Sequence, residues 1–239
     1  LQVFQKADFR NYWYESGSPS FIVEYMKRHG ILQPETYRHI QENIDFASSQ
    51  EIERAKPASF LYQSGYLTIE KREEENLTLD YPNQEVLNSI SRQYLELVYE
   101  VQDANRTGNE LWKAFTAGDL DEVKRLFNAA LASMPYRLFK DATEHFYQAV
   151  FLALLRGAGI KANGEVESHR GRCDAEVLLP KRICVLEFKT AKDASQIASR
   201  RQEGEEQIAS RGYAEKFAAD PRELTTAAIV IDLSARQAV

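Results

Sequence analysis

This sequence is poor in most of the features that would place it outside a cell, in a membrane or wrapped in nucleic acid. Only two of its 239 residues are cysteines, Cys173 and Cys184. Two thiols build neither a disulfide framework nor a four-cysteine zinc site, so a reducing cytoplasm is the expected setting. No stretch approaches the roughly 20 apolar residues of a membrane-crossing helix, and no membrane partner is expected. Lys6, Asp8 and Arg10 interrupt any apolar leader at the start. The four histidines, His29, His39, His145 and His169, show no spacing that suggests a zinc site. Excess positive charge is missing too: the net charge of −6 argues against wholesale wrapping by nucleic acid. Repeats and low-complexity tracts are absent.

What is present is an ordinary globular composition, 44% hydrophobic and 28% charged, long enough for one large core or two modest ones. The charge is unevenly spread. From Pro135 onward 16 Lys and Arg face 15 Asp and Glu; before it 14 face 21. The acidic character therefore belongs to the first part, and a phosphate-binding groove in the second remains open. The chain starts at Leu1, and its first segment reads like the interior of a longer protein.

Pro19 suits a first helical position, and a helix is expected from there to Gly30. A short helical turn from Pro57 leads through Gly65 to two strands, Tyr66–Ile69 and Leu77–Tyr81. The charged tip from Glu70 to Asn76 joins them as a hairpin. With a further helix from Asn83, residues 55–104 have the outline of a winged-helix-like unit. Helices continue over 109–117 and 119–132. Met134-Pro135 marks the expected boundary between a mostly helical region, 1–134, and a second domain, 135–239.

The second domain changes pattern. An amphipathic helix is expected over about 137–157, stopped by Gly157-Ala158-Gly159. Strands follow at about 160–168, 172–179 and 182–189, the last two separated only by Pro180-Lys181 as in a tight hairpin. A polar helix over 194–212 and an apolar strand over 226–233 complete an α-β-β-β-α-β order. The fold class is thus mixed α+β, with helices covering a central mixed sheet.

Within the apolar strand Ile183–Lys189, Glu187 and Lys189 are out of place. Residues two apart share a face, so these two point together while Leu186 and Phe188 point to the opposite, buried side. Buried charge is costly unless paired or bound to metal. On the neighbouring strand Cys173, Ala175, Val177 and Leu179 form one face and Asp174 lies on the other, where a short hairpin brings it beside Glu187. Two carboxylates and a lysine suit metal-assisted phosphodiester hydrolysis. Asp174, Glu187 and the backbone carbonyl of Phe188 can hold Mg²⁺ or Mn²⁺, hard cations that take oxygen ligands. Lys189 would orient the attacking water or stabilise developing negative charge. Spacing alone is equally compatible with rim carboxylates forming solvated pairs with Arg172 and Lys189.

Context adds to the motif. Thr143-Glu144-His145-Phe146-Tyr147, Gly164-Glu165-Val166-Glu167-Ser168, Arg170-Gly171-Arg172-Cys173-Asp174 and Val185-Leu186-Glu187-Phe188-Lys189 occur in order. Gln207, Gly212-Tyr213-Ala214 and Ala228-Ile229-Val230-Ile231 follow. Over about 135–233 this resembles the PD-(D/E)xK nuclease-like, restriction-endonuclease-like domain at the C-terminus of a family of predicted AAA-ATPase-like proteins. Tyr12-Trp13-Tyr14-Glu15-Ser16-Gly17-Ser18-Pro19 resembles the end of that family's ATPase module, and Phe60–Ile69 its winged-helix-like connector.

The resemblance implies that Asp174, Glu187 and Lys189 occupy the motif positions. It further implies that Glu144 is a helical carboxylate added to the metal site and Gln207 a polar residue facing it. Arg170 and Arg172 would lie near the scissile phosphate, or else neutralise Glu165 or Glu167. Lys181 and Arg182 are candidates for contact with a nucleic-acid backbone. Cys173 replaces the family's proline. No G-x-x-x-x-G-K-[ST] loop exists, so no nucleotide site is expected here, and an ATPase module would lie upstream as a partner within the same protein. The expected activity is hydrolysis of nucleic acid, DNA in preference to RNA. The competing reading is a catalytically silent nucleic-acid- or protein-binding scaffold; a weaker third is regulation by docking of 1–134 on the ATPase module.

Overall fold

In a computed structural model of the chain, residues 19–31, 33–47 and 57–239 are described. The aromatic segment Tyr12-Trp13-Tyr14 lies outside them. The chain divides into two compact units, residues 1–98 and 99–239.

The first unit contains α1 (Pro19–Arg28), β1 (Ile40–Asn43), α2 (Pro57–Gln63), β2 (Thr68–Glu73), β3 (Asn76–Asp80) and α3 (Gln84–Leu97). Strands β2 and β3 form the expected hairpin, and β1 adds to the other side of β3, giving the order β1-β3-β2. The strand β1 falls in a segment whose polar residues carry no period-2 signal; its burial simply alternates half-buried and exposed. Asn83 caps α3 by accepting the Val86 N–H at 3.0 Å, as a short polar side chain does at a helix start.

The second unit opens with α4 (Ala104–Ala117) and α5 (Leu120–Ser133), joined through Gly118 at a left-handed φ of +76°. Next come α6 (Glu144–Gly157), β4 (Lys161–Ser168), β5 (Gly171–Leu178), β6 (Arg182–Ala191), α7 (Ile197–Ser210), β7 (Glu223–Asp232) and β8 (Gln237–Ala238). The five strands form one sheet in the order β4-β5-β6-β7-β8. Only the β6–β7 pair is parallel, and α7 makes that crossover, as parallel neighbours require. The architecture is the mixed α+β one read from the sequence, with β8 as an extra short edge strand.

The helix expected over 137–157 begins later. Residues Tyr136–Phe139 form a 3₁₀ turn, and Thr143 is extended (φ −102°, ψ 174°), so the α-helix starts at Glu144. This break places Glu144 in the first helical turn. From Tyr147 to Gly157 every residue of α6 is buried, and the Phe151 ring packs edge-on against Phe188 of β6 at 5.5 Å. Helix α7 covers the opposite face, where Ile208 joins Cys173, Ile183, Val185 and Tyr213 in one cluster. The backbones meet closely there. A Cβ at Gly204 would lie 2.7 Å from Ala228 Cβ and 3.4 Å from Lys189 Cγ.

Candidate active site

Strand alternation puts Leu186 and Phe188 under α6, and Glu187 and Lys189 under α7. On β5 the alternation expected over Cys173, Ala175 and Val177 does not hold. Ala175 and Val177 pair with Leu186 and Cys184, on the α6 side, whereas Cys173 belongs to the cluster under α7. The strand twists at Asp174. Opposite it Glu165 takes a left-handed φ of +52°, the local irregularity that lets an edge re-aim a side chain.

The β5–β6 ladder stops at Ala175 and Leu186, and the Asp174 carboxylate sits where the strands part. Its Oδ2 accepts the Phe188 backbone N–H at 2.6 Å. In an extended strand the N–H and C=O of one residue point to the same side, so the Phe188 carbonyl faces the same opening. Glu187 is 1% exposed, and its Oε1 accepts from Lys189 Nζ at 2.9 Å. Its Oε2 is buried with no hydrogen-bond partner.

These groups perturb one another. Burial, and then the Asp174 charge, raises the Glu187 carboxyl to about 7, against the opposing pull of Lys189. Burial also raises Asp174, opposed by the Phe188 N–H and by Lys189. Glu144 is raised by burial and feels the charges of Lys189 and Asp174, so the helix start at 144 brings this third carboxylate to the site. Burial works against the Lys189 ammonium, but the Glu187 hydrogen bond and the charges of Glu187, Glu144 and Asp174 outweigh it and raise its pKa. Three carboxylates thus surround one ammonium in a largely dry place. A divalent cation would relieve that excess, and the buried Oε2 of Glu187 is an oxygen that could meet it.

Other expected residues fall at varying removes. Gln207 stands on α7 one turn beyond Gly204, and its Nε2 donates to the Tyr213 hydroxyl at 3.2 Å. Arg172 pairs with Glu165 at 2.5 Å; Arg170 pairs with Glu215 at 3.1 Å rather than with Glu165 or Glu167. Lys181 and Arg182 lie at the start of β6. Arg182 is five residues from Glu187, roughly 16 Å along the strand, and is held by Glu223 and Thr225 at 2.8 and 2.9 Å. They share no locality with the carboxylates.

A residue with no signal in the motif is Gln148, 3% exposed. Its Nε2 donates to the Asp174 carbonyl at 2.6 Å and to Glu165 Oε1 at 3.1 Å. Lying one turn after Glu144, it ties α6 to the twist in β5. A glutamine inside an apolar helix, four residues from a candidate ligand, is the signal that could have found it.

Elsewhere His39, Glu70 and Asp80 bring three metal-ligating side chains together. Asp80 already accepts from Arg38 at 3.1 and 2.9 Å and from the Tyr81 N–H at 2.8 Å. The guanidinium neutralises that group without an ion.

A five-stranded mixed sheet between two helices, with carboxylates and a lysine where two central strands part, defines a restriction-endonuclease-like nuclease fold. Residues 142–239 match the model of the PD-(D/E)XK nuclease superfamily, and this stretch carries a domain of that class. Its members are in general divalent-metal-dependent nucleases acting on nucleic acid. Over 230 residues the chain is also 27% identical to an "Uncharacterized protein in vnfD 5'region" of Azotobacter chroococcum mcd 1, an alignment covering 92% of this chain and 43% of that relative. The chain thus spans somewhat less than half the relative's length. No helix among the described residues is long and apolar enough to cross a membrane.

Proposed function

We propose that residues 135–239 hydrolyse phosphodiester bonds of DNA with Mg²⁺ or Mn²⁺, as the C-terminal part of a larger ATPase-linked protein. One observation carries the reading: the buried Glu187 Oε2 has no hydrogen-bond partner, beside a second half-buried carboxylate and a lysine. Asp174, Glu187 and the Phe188 carbonyl would hold the cation, which lowers the pKa of a bound water and offsets charge developing on the phosphate. Lys189, tethered within 2.9 Å of Glu187, presents its ammonium to the attacking water or the phosphate oxygens. Glu144 balances that ammonium. Gln207, anchored by Tyr213, is the polar group that α7 offers to the site. Arg172 and Arg170 flank the approach as phosphate contacts.

That the relative is more than twice as long as the chain leaves room for an upstream ATPase module. Residues 1–134, including the winged-helix-like segment, would then be its connector.

The test is calorimetric titration of Mn²⁺ into the wild type and Asp174→Ala, beside cleavage assays on single-stranded, duplex and branched DNA. Binding and cutting by the wild type, both lost in the variant, are expected. A wild type that neither binds metal nor cuts any substrate would refute the nuclease and leave the catalytically silent scaffold.

A further inference from the structure

Tyr136 is 72% exposed, the most exposed of the large hydrophobic residues described. It lies in the 3₁₀ turn that precedes α6. The Arg236 guanidinium sits 4.3 Å from the centre of its ring and 5.7 Å from that of Phe139. Arg236 pays for that position with a left-handed φ of +57°, unusual for a side chain with a Cβ.

The turn that holds it is pinned from both ends. Asp232 Oδ1 accepts from the Ser234 N–H and hydroxyl and from the Ala235 N–H, at 2.9, 2.6 and 3.2 Å. Asn128 of α5 clamps the Ala238 backbone twice, at 2.8 and 2.7 Å. Among the described residues no carboxylate pairs with Arg236. A cavity of about 280 Å³ opens beside the two side chains, floored by Leu131, Met134 and Phe139 and edged by Gln237.

The patch lies at the active end of the sheet. Phe139 packs on Phe146 and Tyr147, at 5.7 and 6.2 Å, in the first turn of α6 that carries Glu144. Strand β7 runs parallel to β6 with Val230 beside Lys189, so Asp232 is roughly 7 Å further along and Arg236 just beyond it. A strand stacked at about 3.4 Å per nucleotide covers that separation in a few nucleotides.

We propose that Tyr136 and Arg236 form a stacking subsite for one unpaired base of single-stranded DNA flanking the scissile phosphate. The Tyr136 ring offers a π-face. The guanidinium, fixed over it, offers a second plane and donors for the adjoining phosphate. A base in a duplex has both faces covered by its neighbours and cannot enter. The inference rests on the nuclease reading for its substrate, and binding without metal tests it separately.

The experiment is fluorescence anisotropy of the full chain with labelled single-stranded and duplex oligonucleotides in EDTA, where no cleavage occurs. Variants are Tyr136→Phe, Tyr136→Leu, Arg236→Lys and, as a surface control, Lys124→Ala; circular dichroism checks their folding. Tyr136→Leu and Arg236→Lys are expected to weaken single-strand binding about tenfold, with Tyr136→Phe and the control unchanged. Duplex binding should move less than twofold in all. Equal losses on both oligonucleotides, unchanged binding in Tyr136→Leu, or no single-strand binding by the wild type would each overturn the subsite. Metal-dependent cutting abolished by Asp174→Ala would stand regardless, so failure here is distinct from failure of the nuclease.

Discussion

Glu187→Gln should make the metal-free protein more stable at alkaline pH while removing its response to metal. The Glu187 carboxyl is held at about 7 by burial and the neighbouring Asp174, against an ordinary 4.5. Between those two values the folded protein keeps a proton that the unfolded chain has released. Stability therefore falls as pH rises from about 4.5 to about 7, and stays lower above. At 1.36 kcal/mol per pKa unit, the ionised carboxylate costs the folded state about 3 kcal/mol. Glutamine keeps the shape and can still accept from Lys189 Nζ, but carries no charge. In EDTA at pH 8 the variant should melt roughly 6–12 °C higher than the wild type, at 2–4 °C per kcal/mol for a chain of this size. At pH 4 the two should coincide. Saturating Mn²⁺ at pH 8 should raise the wild type by a comparable amount, since a ligand at a hundred times its Kd adds about 3 kcal/mol, and leave the variant unmoved. The assay is thermal unfolding by circular dichroism across pH 4–8, with and without metal. A variant less stable at pH 8, or a difference that ignores pH, would refute the buried, unrelieved carboxylate.

The other predictions concern what surrounds that carboxylate. Gln148→Leu strips the Asp174 carbonyl and Glu165 of a donor and should cost about 1–3 kcal/mol in urea unfolding; an unchanged midpoint would mean the amide is not holding β5 to α6. Gly204→Val forces α7 off β7, because even a Cβ there would meet Ala228 at 2.7 Å. A loss of about 2–3 kcal/mol is expected, and wild-type stability would contradict that close approach. Arg172→Ala removes an exposed pair worth under about 1 kcal/mol. It should leave the melting temperature in place yet flatten the slope of log affinity for DNA against log salt by about one; an unaltered slope would exclude a phosphate contact.

Much of the second domain could be read directly. Strand β6 declares itself by the apolar run from Ile183 to Phe188, broken by the charges of Glu187 and Lys189 at period two, and β5–β6 by the Pro180-Lys181 turn. The start of α6 could not, because 137–157 is apolar enough for one helix, and only the extended Thr143 separates the 3₁₀ turn from it. Face alternation along β5 was equally misleading: period two assumes a regular strand, and the left-handed Glu165 across from Asp174 breaks it. Strand β1 escaped because its four residues, three of them polar, gain their place from pairing with β3, a partner some 35 residues away. Gln148 lay outside the motif, marked only as a glutamine within an apolar helix, and Arg236 belongs to no local pattern.

The amino-acid order by itself singled out the candidate site: a glutamate and a lysine two apart in an apolar strand, preceded by an aspartate across a two-residue turn. The spacing of the glutamate and the lysine puts those two on one surface, since side-chain period in a regular strand is a local property of the backbone. It could not determine what state those groups are in. Whether Glu187 is a solvated partner of Lys189 or a buried carboxylate pushed to about 7 depends on α7 closing over it. That closure depends on a glycine at 204 meeting an alanine at 228. Desolvation and charge proximity are sums over neighbours distant in sequence, and only the folded chain brings those neighbours together.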